Sequence, residues 1–336
     1  SYSTRFKLRF YNIELFAITM AKMLKRFERL TPFRIRDVLL VSSSYDHYVL
    51  SEDGHLTELM TDKFAQLNLS HAPRIIHASD AEEALELMKK WRFDLIISMI
   101  RVGNMSVEDF GKKAKEVLPE TEVILLAHST RELASINTSK SIDRIFVWSG
   151  NAQLMVAIIK LVEDERNVAH DIRIGNIPVL LLVEDSRRFY SSYLPQLYEE
   201  IVTQTRGVIG EGLSLKQTMM RLRARTKILH ATTMEEAIAY VDLYGRNLIG
   251  LITDAGFPAM NRKEMQAGLS LIKRVRERFP NLPILMQSTE KNNEGPAIEL
   301  GAEFLHKYNP NLLSKLHDYL QYKLGFGDFI FIKFLF

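Results

Sequence analysis

Short apolar runs alternate with longer amphipathic stretches through most of the chain. The runs at 38–41, 123–126 and 179–183 consist only of Val, Ile and Leu, which is typical of strands buried on both faces of a parallel sheet. Between such runs lie stretches like 80–91, DAEEALELMKKW, with apolar residues at helical spacing. The alternation predicts an α/β protein with helices on both faces of its sheets.

The chain also contains an internal repeat of domain size. Five blocks of the first half recur in the same order in the second half, so one folding unit is used twice. Five strand–helix units per repeat predict two flavodoxin-like, doubly wound parallel five-stranded sheets in tandem. Asp80 and Thr233, at equivalent places in the repeat, each precede a Glu-Glu pair and are predicted to cap the following helix. The matching blocks are VLLVSSS (38–44) with VLLLVEDS (179–186), RIIHASDAEEALEL (74–87) with KILHATTMEEAIAY (227–240), FDLIISMIR (93–101) with NLIGLITDA (247–255), PETEVILLAHST (119–130) with PNLPILMQSTE (280–290), and DRIFVWSGN (143–151) with AEFLHKYNP (302–310).

The repeat divides the chain into four predicted regions. Residues 1–32 are a basic N-terminal helical segment, 33–172 the first repeat unit, 173–325 the second, and 326–336 an apolar tail that we expect to lead into a further domain. The long segment 187–226, after the first strand of the second unit, is predicted to hold an extended first helix and an extra helix. These helices could serve as a dimer face or as a docking surface.

Composition narrows the class of protein. A hydrophobic fraction of 46% and a charged fraction of 25% in 336 residues are those of a soluble globular protein. The absence of cysteine excludes disulfides and thiolate chemistry and fits a cytoplasmic location. Residues 1–36 hold nine Lys and Arg against two Glu, which we interpret as a solvated helix face rather than a nucleic-acid or lipid contact. No apolar stretch is long enough to predict a membrane span.

Polar side chains stand at the ends of four predicted strands in the second unit. Glu184 and Asp185 follow the first strand, Asp254 ends the third, Ser288 ends the fourth and Lys307 follows the fifth. Because the carboxyl ends of parallel strands meet at one edge of the sheet, we expect these residues to converge there.

This set of residues suits phosphoryl transfer. Three carboxylates in one pocket repel one another unless a cation lies among them, and Mg²⁺ prefers oxygen ligands. Asp254 would be the nucleophile, with Lys307 pairing with one phosphoryl oxygen and the Ser288 hydroxyl donating to another. The predicted metal ligands are Glu184, Asp185, Asp254 and the backbone carbonyl of Gly256.

Each of these residues also has an ordinary explanation. Asp185 and Ser186 could cap the next helix, Asp254 could be a turn residue before Gly and Pro, and Lys307 could be one of many surface lysines. The combination of suitable residue types at matching strand ends favours the functional interpretation.

The pattern VEDS, D-x-x-x-P, S and K at these strand ends resembles the response-regulator receiver family. The resemblance implies that a histidine kinase or a small phosphodonor phosphorylates Asp254. It also implies a switch in which Ser288 and Phe304 move together and reshape a docking face. The family usually has proline after the lysine, where this sequence has Tyr308, so the cis-proline turn of the family is not expected here.

The first unit has lost the same chemistry. The acidic pair is replaced by two serines, and the acceptor, hydroxyl and lysine positions hold residues that can neither bind Mg²⁺ as a carboxylate nor accept a phosphoryl group as an aspartate. The unit therefore resembles a pseudo-receiver, with a predicted role in packing, dimerisation or docking. The degenerate counterparts are Ser42, Ser43, Met99, Ala127 and Trp148.

A wider resemblance covers the chain from about residue 33 to 331. The phrases FRIRDVLLVSS, LLLVEDSRRFYSSYLPQLY and LGFGDFIF resemble the N-terminal tandem-receiver region of bacterial proteins related to phosphoenolpyruvate synthase and pyruvate phosphate dikinase. In those proteins, ATP-binding and PEP/pyruvate-binding domains follow the receivers. The resemblance implies that such domains are the output, and we assign no enzymatic activity to the present residues.

Two functions remain open from the sequence. The first is a phosphorelay regulatory module whose partners are a histidine kinase or small phosphodonor and a downstream catalytic region, with a homodimer left open and no nucleic-acid or membrane partner expected. The second is a phosphorylation-independent scaffold or dimerisation module. The intact acidic set beside an erased one favours the first. A small-molecule enzyme is disfavoured because no nucleophile–base pair or cofactor loop accompanies the fold.

Overall fold

The computed structural model describes residues 22, 25–50, 56–67, 69, 72–136, 141–148, 150–208 and 222–324. These residues form two five-stranded parallel sheets with helices packed on their faces, together with one short antiparallel hairpin. The predicted α/β fold with two sheets in tandem is confirmed.

The first sheet has the strand order β2-β1-β3-β4-β5, which is the flavodoxin-like order. Val38, Leu39 and Leu40 are buried on both faces of the central strand, as the run of aliphatic residues predicts. The strands are β1 (Asp37–Val41), β2 (Arg74–Ala78), β3 (Leu95–Met99), β4 (Glu122–Ala127) and β5 (Arg144–Val147).

The second sheet repeats the order as β7-β6-β8-β11-β12. The register is repeated as well, since Leu40 pairs with His77 in the first sheet and Leu182 pairs with His230 in the second. The strands are β6 (Val179–Val183), β7 (Lys227–Ala231), β8 (Leu248–Asp254), β11 (Ile284–Ser288) and β12 (Glu303–His306), and the hairpin is formed by β9 (Phe257–Ala259) and β10 (Arg262–Glu264).

Helices connect these strands across both faces. Two predicted helix starts are confirmed, because the Asp80 side chain accepts a hydrogen bond from the Glu83 N–H and the Thr233 side chain accepts one from the Glu236 N–H. The helices are α1 (Ser44–Leu50), α2 (Leu56–Gln66), α3 (Ala81–Lys90), α4 (Val107–Val117), α5 (Gln153–Gly175), α6 (Arg187–Val208), α7 (Met234–Tyr244), α8 (Ala267–Arg278), α9 (Glu294–Glu299) and α10 (Leu312–Asp318).

The extended first helix of the second unit, predicted within 187–226, is confirmed as α6. The extra helix predicted after it, at 212–226, lies mostly outside the described residues; within that span, 222 and 223 are helical. Most of the N-terminal segment and all of the tail also lie outside the described residues. Of the N-terminal segment, 25–28 is helical, and Phe27 is buried in a small cluster that includes Ile177. No helix in the described part of the chain is both long and apolar enough to cross a membrane.

The two sheets share one apolar core. Helix α5 packs against β7 of the second sheet and against α6, while α6 packs against β5 of the first sheet. A single buried cluster includes Leu40 and Leu126 from the first sheet and Leu180 and Leu182 from the second. Helix α5 therefore continues past residue 172, the predicted limit of the first unit, and serves both units as a packing element.

One face of α5 carries buried charged residues. Asp164 has no solvent exposure and accepts two hydrogen bonds of 2.8 Å from the Arg225 guanidinium. Lys227 lies 3.4 Å from Asp164 and 3.0 Å from Asp171. Because Arg225 and Lys227 belong to the second unit, these ion pairs connect the units through the interior.

The same helix also fixes the chain that enters β1. The side chains of Asp171, Asn167 and Glu163 accept hydrogen bonds from the backbone N–H groups of Thr31, Phe33 and Ile35, respectively. The three donors alternate along residues 31–35, and their three partners occupy successive turns of α5. This arrangement satisfies buried backbone donors that would otherwise be costly.

Candidate acidic site of the second unit

The ends of β6 and β8 bring three carboxylates together. Glu184 and Asp185 follow β6, and Asp254 is the last residue of β8. One ligand oxygen from each lies within 4.8 Å of the others, and this is the only such group of three or more metal-binding side chains among the described residues. The expected convergence at the carboxyl edge of the sheet is what the structure shows for these three residues.

Lys307 lies among the carboxylates. Its Nζ is 2.6 Å from Glu184 Oε2 and 2.9 Å from Asp254 Oδ1, and its side chain is only 2% exposed. The ammonium also lies 4.3 Å from the centre of the Phe189 ring, a favourable cation–π position. The buried Lys307 ammonium thus pairs with two carboxylates, the buried one of Glu184 and the half-buried one of Asp254.

Glu184 is almost completely buried. Burial, together with the nearby Asp254 carboxylate, raises the pKa of Glu184 to about 7 although the Lys307 ammonium opposes the rise. A carboxylate in this position needs additional positive charge to stay ionised, which a divalent cation would supply.

Asp185 occupies the outer side of the cluster. Its Oδ2 lies 2.7 Å from Lys263 Nζ, whereas its Oδ1 is buried and has no hydrogen-bond partner. An unpartnered buried carboxylate oxygen is costly to leave without a ligand. Asp185 also lines a cavity of about 500 Å³ between the end of β5 and the second unit.

Ser288 lies at the end of β11 and is buried. Its hydroxyl accepts hydrogen bonds from the Glu290 N–H at 3.0 Å and from Asn293 Nδ2 at 2.9 Å, so it is oriented toward the turn that follows. Phe304 is half-buried on the neighbouring strand β12, opposite Met286 in the register. The two predicted switch residues therefore lie on adjacent strands.

Two glycines shape the backbone around the end of β8. Gly256, whose carbonyl is a predicted metal ligand, is buried two residues after Asp254. Gly268, in the first turn of α8, lies so close that an added Cβ would be 2.2 Å from the Asp254 carbonyl oxygen. A side chain at position 268 is therefore incompatible with the present position of Asp254.

The lysine loop has its own conformation. The described residues contain no cis peptide bond, as the replacement of proline by Tyr308 leads one to expect. Tyr308 is exposed, and its ring lies 5.8 Å from that of His306 and 6.4 Å from that of Phe189, measured between centroids.

Equivalent histidines support the first acidic position in both units. His230 Nε2 donates to the Glu184 carbonyl at 2.9 Å, and burial lowers the pKa of His230 to about 3, so the ring is neutral. In the first unit, His77 Nε2 lies 2.9 Å from the Ser42 carbonyl. The repeat therefore retains this backbone contact where the acidic side chain is lost.

The corresponding corner of the first unit is filled differently. Ser43 Oγ donates to Asp46 Oδ2 at 2.9 Å, and His128 Nε2 lies 3.0 Å from Asp46 Oδ1. The Asp46 carboxylate is thus held by two side chains of the first unit. The remaining degenerate positions, all at most 8% exposed, are Ser42, Met99, Ala127 and Trp148.

Sequence reasoning missed several residues around the acidic cluster. Lys263 was missed because the β9–β10 hairpin has no Asn-Gly or Asp-Gly turn. Phe189 and Tyr193 were seen only as parts of an amphipathic helix, although Tyr193 is buried with an unpartnered hydroxyl.

Comparisons with known proteins return solved structures only. No protein-family model and no curated protein matches the chain. The response regulator TrrA from Thermotoga maritima, solved with Mg²⁺-BeF, is 19% identical, with a TM-score of 0.29, over 38% of this chain and 97% of its own. A receiver domain of an HD domain-containing protein from Pseudomonas fluorescens Pf-5 is 21% identical, with a TM-score of 0.28, over 42% of this chain and 95% of its own. The response regulator DrrB from Thermotoga maritima is 16% identical, with a TM-score of 0.30, over 39% and 54%, respectively.

Proposed function

We propose that the chain is a regulatory module of phosphorelay signalling in which Asp254 accepts a phosphoryl group. The observation that carries this proposal is the meeting of Glu184, Asp185 and Asp254 around the buried Lys307 ammonium. Three carboxylates in one corner destabilise a protein unless they serve a cation, and a structural role would not require them.

The donor set fits Mg²⁺. The ligand oxygens are all hard, they lie within 4.8 Å of one another, and Asp185 Oδ1 is buried without a partner. Glu184, Asp185, Asp254 and the Gly256 carbonyl would hold the ion. A bound Mg²⁺ would neutralise negative charge on the phosphoryl oxygens.

The chain's own residues account for the transfer step. A carboxylate oxygen of Asp254 forms a bond to phosphorus, and the bond between phosphorus and the donor breaks. The leaving atom, an oxygen of a small phosphodonor or an imidazole nitrogen of a phosphohistidine, departs with the electron pair. Lys307 already contacts Asp254 Oδ1 at 2.9 Å, so its ammonium is well placed to pair with an oxygen of the incoming group. The product is an aspartyl phosphate.

We propose that phosphorylation of Asp254 changes the protein surface through movements of Ser288 and Phe304. The Ser288 hydroxyl only accepts hydrogen bonds from Glu290 and Asn293, so its proton remains available for a phosphoryl oxygen. A reorientation of Ser288 would release Asn293 and leave space beside Phe304 on β12. The resemblance to tandem-receiver regions makes a PEP synthase-like catalytic region the proposed output, and a histidine kinase or small phosphodonor the proposed source, within the cytoplasm.

The direct test is incubation with acetyl phosphate and Mg²⁺ followed by intact-mass measurement. We expect one added phosphoryl group in the parent protein, and none in Asp254→Asn or in the presence of a chelator. Asp242→Asn, on the exposed surface of α7, is the matched control and should be modified like the parent. If the parent gains no mass and binds no Mg²⁺, the tandem units are a scaffold, which their shared core would also serve.

A second prediction concerns the glycine beside the acceptor. Gly268→Ala places a Cβ 2.2 Å from the Asp254 carbonyl oxygen, so the end of β8 must shift. We expect the rate of phosphorylation by acetyl phosphate to fall by about tenfold or more, and the free energy of unfolding to fall by about 1–3 kcal/mol. Gly295→Ala is the control because nothing lies within 4 Å of its added Cβ. A parental rate in Gly268→Ala would contradict the placement of Asp254.

A further inference from the structure

A hairpin follows the acceptor strand directly. Strands β9 and β10 pair antiparallel after Asp254, and their turn is made by Met260 and Asn261, with φ values of 49° and 63°. In the first unit, the same place holds only an isolated bridge between Val102 and Met105. The hairpin is therefore a feature of the unit that keeps the acidic cluster.

The hairpin is fixed at its base and at its tip. Phe257 is completely buried in the core of the second unit, and the Met260 N–H donates to Glu235 Oε1 at 2.7 Å. Lys263 lies opposite Pro258 in the register, so its backbone is part of the ordered hairpin. The Lys263 side chain therefore reaches the acidic cluster from a strand of the hairpin and not from an irregular loop.

The two lysines that contact the acidic cluster differ in how easily their ion pairs can break. Lys307 bridges Glu184 and Asp254 and is buried, so its departure would place an unpaired ammonium in the interior. Lys263 contacts only the outer carboxylate, Asp185, with side-chain exposures of 53% for the lysine and 18% for the aspartate. An exposed lysine loses little when its ion pair breaks, because water solvates the ammonium.

A divalent cation at the cluster would share the Asp185 carboxylate with Lys263, with the unpartnered Oδ1 left for the ion. In the present structure, Lys263 holds Oδ2 at 2.7 Å, and a divalent cation at the cluster would draw electron density from the same carboxylate. Two cations within contact distance of one carboxylate repel each other. Occupation of the cluster by a metal ion therefore favours release of Lys263 into solvent.

We propose that Lys263 is a displaceable counter-ion that competes with the divalent cation for Asp185 and so lowers the metal affinity of the phosphorylation site. This inference rests on the proposed function of the acidic cluster. It assigns a regulatory contact to the hairpin, since any partner that engages Lys263 would raise the metal affinity and hence favour phosphorylation of Asp254.

The test is a calorimetric titration of the full chain with Mg²⁺ at near-physiological ionic strength. We expect Lys263→Ala to bind Mg²⁺ about two- to fivefold more tightly than the parent, which is the range of an exposed ion pair. Arg262→Ala is the matched control, since it removes one positive charge from the same strand, at an exposed residue. Its affinity should change less than that of Lys263→Ala because distant exposed charges are screened by salt.

A second readout follows Lys263 itself. Acetylation of individual lysines by a water-soluble reagent, mapped by peptide mass, should increase at Lys263 when Mg²⁺ is added and stay unchanged at Lys89, which pairs with Glu86 far from the cluster. Equal Mg²⁺ affinities of parent, Lys263→Ala and Arg262→Ala would overturn the counter-ion proposal alone. No Mg²⁺ binding by the parent would instead overturn the metal site, and with it the proposed function.

Discussion

Lys307→Met is expected to lower the free energy of unfolding by about 3 kcal/mol or more, and Mg²⁺ is expected to restore part of this loss. The substitution leaves Glu184 and Asp254 close together without the buried ammonium that contacts both. Their repulsion then opposes folding. A divalent cation bound among the carboxylates replaces the missing charge, so it should stabilise the variant more than the parent.

Lys227→Met supplies the matched control for this experiment. Lys227 is as deeply buried as Lys307 and also contacts two carboxylates, those of Asp164 and Asp171. We expect a comparable loss of stability in urea denaturation, but no recovery with Mg²⁺ beyond that of the parent. Equal stabilisation of the two variants by Mg²⁺ would show that the ion acts nonspecifically and would contradict a metal site at the β6 and β8 ends.

Sequence patterns anticipated the acidic cluster because its geometry follows from topology alone. Once β6 and β8 are recognised as parallel neighbours, the residues at their carboxyl ends must lie close together. Glu184, Asp185 and Asp254 satisfy this condition without any knowledge of side-chain conformation. Lys307 follows β12, which β11 separates from β8, so topology places it at the same edge of the sheet but does not reveal that its long side chain bridges Glu184 and Asp254.

Features that depend on contacts between distant segments were not predictable. The ion pair between Lys263 and Asp185 needs the register of a hairpin with a Met-Asn turn. The position of α5 between the two sheets needs knowledge of how the units pack. Its buried polar face, which includes Asp164 and Asp171, is visible in the sequence only as charges at helical spacing, which usually indicates a solvated surface.

The first unit keeps the backbone structure around the position that corresponds to the acidic cluster, and it also packs against the second unit. His77 keeps the same backbone contact as His230, so the first unit retains the local architecture of the second without its carboxylates. The first unit also supplies α5, whose side chains pair with Arg225 and Lys227. The first unit therefore supplies structural support to the second through α5.

Asp164→Ala is expected to destabilise the protein by about 3–5 kcal/mol. The substitution leaves the Arg225 guanidinium buried without its bidentate partner, and it also removes the acceptor of hydrogen bonds from Tyr198 Oη at 3.0 Å and the Ile228 N–H at 3.0 Å. The control is Glu86→Ala, which breaks an exposed pair with Lys89 and should leave the free energy of unfolding close to that of the parent, because exposed ion pairs contribute little.

Urea denaturation, which measures the stability of Asp164→Ala, also shows whether the two units unfold together. Both tryptophans, Trp91 and Trp148, belong to the first unit, whereas far-UV circular dichroism reports both units. Because α5 and one apolar cluster are shared, the two signals should change in a single urea transition in the parent. Asp164→Ala weakens the contact between the units, so we expect the two transitions to separate.

The double variant Asp164→Ala with Arg225→Met distinguishes two contributions to the free energy of unfolding. One is the destabilisation caused by an unpaired Arg225 guanidinium, and the other is the stabilisation by the ion pair itself. Removal of both charges should leave the protein more stable than Asp164→Ala alone, because no buried guanidinium remains unpaired. If the double variant is instead less stable by the sum of the single effects, Arg225 contributes mainly through packing on the Tyr198 ring, 5.2 Å away. The first result would identify electrostatic pairing across α5 as the link between the two units.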